Sequence, residues 1–181
     1  RAPMFEDALA IMKALWAGET VDHDRFWPIS SAKISPVPLE SVEVWVGAVA
    51  PAAINRTARV ADGWLGQPGL GLSEASKQAN QYRQACAEHG TNPTAVAVRR
   101  DIFIGETSQE AKSVKDHYMA KGYRGFAEDA FMAGSVAEIA EQMMKFADAG
   151  FTDIVVRNMS SDQGQALSTI ERLAEVKAQI D

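Results

Sequence analysis

Apolar residues recur along this chain in two rhythms, one helical and one extended. From Phe5 to Trp16 the residues Phe5, Leu9, Met12, Leu15 and Trp16 fall three or four apart, the spacing of a single helical face. Ala17-Gly18 ends that helix. The stretch "ETVDHDRFWPISSAKISPVPLES" follows, rich in turn formers, with Pro28, Pro36 and Pro38. It predicts an irregular hairpin or excursion rather than a core element. Val42 to Gly47 reads as a short strand, with Val44 and Val46 on one side and Trp45 on the other. Pro51 then suits the first turn of a helix running to about Ala61, with Ile54, Ala58 and Ala61 inward. Trp64-Leu65 predicts the next strand, and "GQPGLGLS" a flexible loop. Ser73 can cap a helix that carries Ala75, Ala79, Tyr82 and Cys86 on one stripe and closes at Gly90.

The second half repeats the scheme. "AVAVRRDIFIGE" is the longest strand candidate, and Thr107 with Glu110 matches a capping box opening another helix. Ser135 with Glu138 matches a second box, before a helix with Ile139, Met143 and Phe146 inward and Gly150 at its end. "TDIVVRN" reads as a buried strand, and a last helix from about Gly164 turns Leu167, Ile170 and Leu173 inward. Strands alternating with helices imply an α/β fold with a parallel sheet and right-handed crossovers. About four such strands are expected, in one domain over residues 1–181 with no second domain. Four strands fit a small open sheet or half of a (β/α)8 barrel, which needs twice as many and about 250 residues. The pattern leaves both open.

Charge and composition narrow the function. A formal net charge of −6 argues against a nucleic-acid partner or an anionic membrane surface. No apolar run is long enough to span a bilayer. Cys86 is the only cysteine, so no intrachain disulfide forms and a reducing, cytoplasmic setting is expected. On its apolar stripe it reads as a buried small hydrophobe. His23, His89 and His117 lack a second ligand at metal-binding spacing and read as solvated surface, so no metal site is expected. No Gly-x-Ser-x-Gly elbow is present, and Gly69 and Gly71 do not complete a dinucleotide fingerprint. The chain starts at Arg1 with a helix pattern almost at once, which raises the expectation of a longer parent polypeptide.

Three stretches carry a family resemblance: "FEDALAIMKALWAGETVDHDRFWPI", "ISPVPLESVEVWVGAVAPAAINRTARVADGWL" and "AGSVAEIAEQMMKFADAGFTDIVV". In order and spacing they resemble the luciferase-like monooxygenases, flavin- and deazaflavin-dependent oxidoreductases on a TIM barrel. The resemblance runs over essentially the whole chain. It implies the C-terminal half of that barrel, from the helix after the fourth strand to the last helix. It further implies FMN, or alternatively the 8-hydroxy-5-deazaflavin coenzyme, a small organic substrate, and a homodimer.

The resemblance also places a cofactor. In the family, the loop that here reads Gly47, Ala48, Val49 and Ala50 lies at the barrel mouth against the phosphate end of the flavin. Small residues admit an anion close to the backbone, and a helix N-terminus offers a positive dipole end. The bland reading is a glycine that merely permits a turn. Arg99 and Arg100 lie in one strand, so alternation sends one inward, where it can meet a flavin phosphate or a carboxylate such as Asp101. Arg157 and Asn158 end the last strand, where barrel enzymes place functional groups. Arg99 and Arg157 therefore join the loop as candidate cofactor-binding residues. Asp62-Gly63-Trp64 reads as structural. In "AKGYRGFAEDAFMAGS", Tyr123 and Phe126 are candidates to border the substrate entrance, or else pack as a surface loop.

The expected function is a flavin-dependent oxidoreductase or monooxygenase, with catalytic groups near the ring expected from outside this stretch and none assignable here. A chain of this length acting alone is expected to be inactive. The alternatives are a non-catalytic half-barrel that associates with another chain, and an unrelated barrel enzyme gripping a phosphorylated metabolite through Gly47 and Arg157.

Overall fold

The computed structural model describes residues 1–180. The chain divides into two compact units, Arg1–Val44 and Trp45–Asp181, where the sequence offered no boundary. The first holds α1 (Ala2–Trp16) and a two-stranded antiparallel hairpin of β1 (Val21–His23) and β2 (Ile29–Ala32). Gly18, at φ 80°, ends α1 as expected, with Glu19 N–H reaching back to the Ala14 carbonyl at 3.0 Å. Of the α1 stripe only Leu9 is buried. The irregular hairpin is confirmed.

The second unit is a five-stranded, wholly parallel sheet. It comprises β3 (Trp45–Gly47), β4 (Gly63–Gly66), β5 (Ala95–Ile104), β6 (Phe131–Gly134) and β7 (Asp153–Asn158). The order runs β3-β4-β5-β6, with β7 also paired to β5. The ten residues of β5 explain this: residues 95–98 pair with β4, residues 101–104 with β6, and residues 97–102 with β7 along the other edge. Between the strands lie α2 (Pro51–Val60), α3 (Leu72–His89), α4 (Ser108–Ala120), α5 (Val136–Asp148) and α6 (Gln163–Ile180). The expectation of four parallel strands is thus corrected to five. The addition, Phe131–Gly134, is only four residues and sits inside what reads in sequence as a loop. Among the described residues the sheet does not close on itself: β3 pairs only with β4, and β7 only with β5.

Alternation gives the sheet two different faces. Val96, Val98, Ile102 and Ile104 pack with Ile54, Ala58, Tyr82, Ile139, Met143, Phe146 and Val176 into the main core, under α2, α3, α5 and α6. On the opposite face Phe103 and Phe131 pack with Ala111, Tyr123 and Ala130, beneath α4. The rest of that face carries Trp45, Gly47, Gly63, Leu65, Ala97, Arg99, Val155 and Arg157 in register, and Val155 stays exposed.

Helix ends follow the sequence in part. Ser135 and Glu138 form the full capping box. At α4 only half of one forms: Thr107 accepts from Glu110 N–H, while the Glu110 carboxylate turns to Glu106 N–H. The Ser73 cap is overturned. Helix α3 starts two residues earlier than that cap implies, after Gly71, and its Leu72 N–H is taken by Asp129 Oδ2 at 2.9 Å, 57 residues away. Gly90 closes that helix at φ 68°.

Candidate functional site

The Gly47–Ala50 loop follows edge strand β3 and runs into α2, whose first residue is Pro51. Its path is held from below. The Trp64 indole is fully buried, stacks on Tyr82 at 5.7 Å, and donates to the Ala48 carbonyl at 2.9 Å. Gly63 cannot take a side chain, because a Cβ would lie 2.7 Å from the Trp45 ring and 2.9 Å from the Ala95 Cβ. Gly63 and Trp64 therefore pack to fix the loop, in keeping with a structural role for that part of Asp62-Gly63-Trp64.

Gly47 differs. A Cβ there would meet only the Leu65 carbonyl, at 3.9 Å, so the position is open toward the free face. Gly47, Val49 and Ala50 are exposed and Ala48 is buried. Pro51 has no N–H, and the N–H groups of Ala53 and Ile54 both turn back to the Ala50 carbonyl at 2.8 and 2.9 Å. The helix end thus offers a positive dipole and close backbone approach more than a row of free donors.

A second group of polar side chains lies farther along the same face. Asp101 is 1% exposed, and three residues converge on it. Arg157 Nη2 donates to its Oδ2 at 2.6 Å and Tyr123 Oη donates to the same oxygen at 3.0 Å. Arg99 Nη2 stands 3.7 Å from Oδ1, an ion pair without a hydrogen bond. Arg99 and Asp101 face together because they are two apart in a strand, and β-pairing sets Arg157 directly beside Asp101. The fit is incomplete: Arg99 Nε and Nη2, Arg157 Nε and Asp101 Oδ1 are buried without hydrogen-bond partners. Burial, reinforced by Asp101, raises the Tyr123 pKa, so the phenol stays protonated and donating.

Arg100 faces the other way. It is fully buried, its guanidinium lies 4.6 Å from the Phe146 ring centre, and Nη1 donates to the carbonyls of Pro68 and Arg99, both at 3.1 Å. Burial lowers its pKa from 12.5 to about 10, against the opposing pull of Asp129, Tyr123 and Asp101.

The candidate residues thus fall into two places. Gly47 shares a register row with Leu65, Ala97 and Asp153, whereas Arg99 and Arg157 stand two and four residues higher on strands two and three across. At ~4.8 Å between strands and ~3.3 Å per residue, Gly47 and Arg157 are separated by roughly 15–20 Å. Tyr123 is buried against Phe131, with ring centres 5.4 Å apart, so only its hydroxyl reaches the polar group. Phe126 is half-buried, and its ring covers Gly69, where a Cβ would lie 2.4 Å away. The loop after β4 is locked to this segment by Ala127 N–H to the Gly69 carbonyl, 2.9 Å.

Asn158 is used locally, bonding Ala166 and Ser160. His23 is corrected from solvated surface. It stacks with Phe26 at 6.4 Å, lies tilted against Trp27 at 5.7 Å, accepts from Phe26 N–H, and lies 3.8 Å from Asp7. His89 and His117 are exposed and Cys86 is buried, as expected. Among the described residues no cluster fit for a metal occurs, and no helix is long and apolar enough to cross a membrane. Sequence reading treated Asp101 only as a partner for one arginine. Its even spacing from Arg99 was the available signal; its pairing with Arg157 was not visible.

The chain has relatives of known name. A phthiodiolone/phenolphthiodiolone dimycocerosates ketoreductase of Mycobacterium tuberculosis is 27% identical over 124 residues, covering 65% of this chain and 32% of the relative. An F420-dependent glucose-6-phosphate dehydrogenase of Microbacterium testaceum is 24% identical over 194 residues, covering 92% of this chain and 58% of the relative. The chain therefore spans about a third to three fifths of the relatives it matches.

Among solved structures, monooxygenase RslO1 from Streptomyces bottropensis superposes with a TM-score of 0.79 at 18% identity, over 97% of this chain and 60% of that one. The oxygenating constituent of 3,6-diketocamphane monooxygenase from Pseudomonas putida, in complex with FMN, gives 0.72 at 17% identity, over 99% and 63%. At these identities the structures establish the fold. The family model for luciferase-like monooxygenases matches residues 1–180, nearly the full length, in keeping with a parallel sheet whose strand-end loops carry the candidate residues. The chain belongs to the luciferase-like monooxygenase family.

Proposed function

We propose that this chain is the C-terminal part of a luciferase-like barrel and supplies the cofactor side of an oxidoreductase acting on a small organic substrate. The observation that carries this reading is the open, anchored Gly47–Ala50 loop at the C-terminal end of β3. The loop fits the anionic end of FMN or of a deazaflavin coenzyme. Gly47 leaves room on the free face, the Trp64 indole fixes the Ala48 carbonyl, and the start of α2 adds a positive dipole end. When bound, such a cofactor supplies the hydride or oxygen chemistry. This chain's own residues bind its tail, shield it and orient what comes beside it.

Relatives are of both kinds, an FMN-bound monooxygenase and an F420-dependent dehydrogenase, so either cofactor is a candidate. Phe126, half-buried beside the Gly69 loop, is proposed to border the substrate entrance, and the Tyr123 hydroxyl to face it from within. A cytoplasmic homodimer is the working state, as the family resemblance and the lone cysteine imply. A second reading has its own support. The sheet is open at β3 and β7, which suits a half-barrel that associates with another chain.

The test is a spectral titration with FMN and with the deazaflavin coenzyme. One of them should bind at micromolar or tighter concentration, and Gly47→Val should weaken it at least tenfold at unchanged melting temperature. Absence of any spectral change with both cofactors would defeat the enzyme reading in favour of the half-barrel. Wild-type affinity in the variant would defeat the loop assignment alone.

A further inference from the structure

The polar cluster around Asp101 is over-supplied with positive charge and under-supplied with acceptors. Two arginines face one carboxylate, leaving one net positive charge, and the Tyr123 hydroxyl already occupies part of that carboxylate. Arg99 Nε and Nη2 and Arg157 Nε are buried donors with no acceptor. Buried guanidinium N–H groups without partners are costly, and a carboxylate or phosphate, with two oxygens to offer, matches the guanidinium fork. Access exists: the Arg99 and Arg157 side chains are 29% and 40% exposed, while Asp101 beneath them is 1% exposed. Each guanidinium thus turns its enclosed edge toward Asp101, and the rest of each side chain reaches the surface. Gly47 stands apart by strand register, roughly 12 Å from Arg99 and roughly 15–20 Å from Arg157 between backbones.

We propose that Arg99 and Arg157, held by Asp101 and Tyr123, form a second anion site. It is distinct from the cofactor-tail loop and takes the carboxylate or phosphate group of the substrate. The inference rests on the oxidoreductase reading above for the word substrate, and on this chain's own residues for the site. It narrows the substrate class from small organic molecules to small organic acids or phosphate esters. Asp101 is the positioning residue: it orients both arginines and, by occupying Arg157, tempers the affinity so that a product can leave.

Inorganic phosphate is the probe, measured by calorimetric titration of the intact protein with and without saturating cofactor. Phosphate should bind with the same affinity in both cases. Arg157→Met and Arg99→Met should each weaken it about tenfold, as expected for one lost charge-assisted contact. Asp101→Asn should tighten it by a similar factor, because it frees both guanidinium groups, and this gain cannot come from misfolding. All three variants should keep cofactor affinity within about twofold. No phosphate binding, binding unchanged in both arginine variants, or displacement of phosphate by the cofactor would each overturn the proposal. The last outcome would assign the arginines to the cofactor itself. Failure to bind FMN or the deazaflavin would remove the enzyme reading, yet leave the phosphate result to judge the site.

Discussion

Two pairs of neighbouring residues, Gly63-Trp64 and Arg99-Arg100, show how differently the two faces of this sheet are used. On the helix-packed face, Trp64 and Arg100 are both fully buried, and each spends its polar group on a loop carbonyl, Ala48 for the indole and Pro68 for the guanidinium. On the other face Gly63 has no room for a methyl group, while Arg99 keeps buried donors unpaired. Both arginines have buried N–H groups without partners, but Arg100 is wholly enclosed and holds a loop in place, whereas the Arg99 side chain is partly exposed. A charge of the same type, one residue along, is structural on one side and available on the other.

The sharpest way to break this contrast is at Trp64. Trp64→Ala removes a fully buried ring and the anchor of the 47–50 loop, and should cost about 3–5 kcal/mol in urea unfolding. A loss under about 1 kcal/mol would show that the helix-packed face is not what holds the loop. Next in size is Gly63→Ala, whose methyl group would press on the Trp45 ring and on Ala95. It should cost about 1–3 kcal/mol by overpacking, read as a lowered melting temperature. A neutral result would mean that the Trp45 ring moves aside freely, and that this stretch of the free face is less defined than the opposite one.

The smallest expected effect is electrostatic, at the start of α5. The Glu138 carboxylate pKa is held below its ordinary range, first by the Ser135 backbone N–H and then by the Ser108 hydroxyl. A depressed carboxylate adds stability in full above its ordinary pKa and loses it as pH falls through the lowered one. The melting temperature should therefore decline on acidification below the ordinary carboxylate range, less steeply in Glu138→Gln. The group is exposed, so the difference will be slight. Identical acid profiles would place the helix layer's hold on the sheet entirely in its packing.

Much of this architecture was legible because it is written locally. The helical stripes of α3 and α5, the Ser135-Glu138 box and the glycine that closes α3 each depend on residues within a few positions of one another. Gly63 and Trp64 were likewise readable as structural, since glycine beside a large aromatic signals close packing. What escaped was short or long-range. Strand β6 is four residues, too few for a period to show, and β5 gives it an edge only beyond the end of β4. The Ser73 cap did not form because the helix starts after Gly71, where a carboxylate from another element, Asp129, accepts from Leu72 N–H.

The candidate site divides in the same manner. The chain's own order of residues determined that Gly47 would end a strand before a helix, and that Arg99 and Asp101 would share a face, because both follow from backbone period alone. Only the folded sheet decided that Arg157 lies beside Asp101, that Tyr123 is buried under it, and that the glycine loop stands apart from the arginines. Register between strands is fixed by the packing of distant side chains, and one-dimensional spacing carries no record of it.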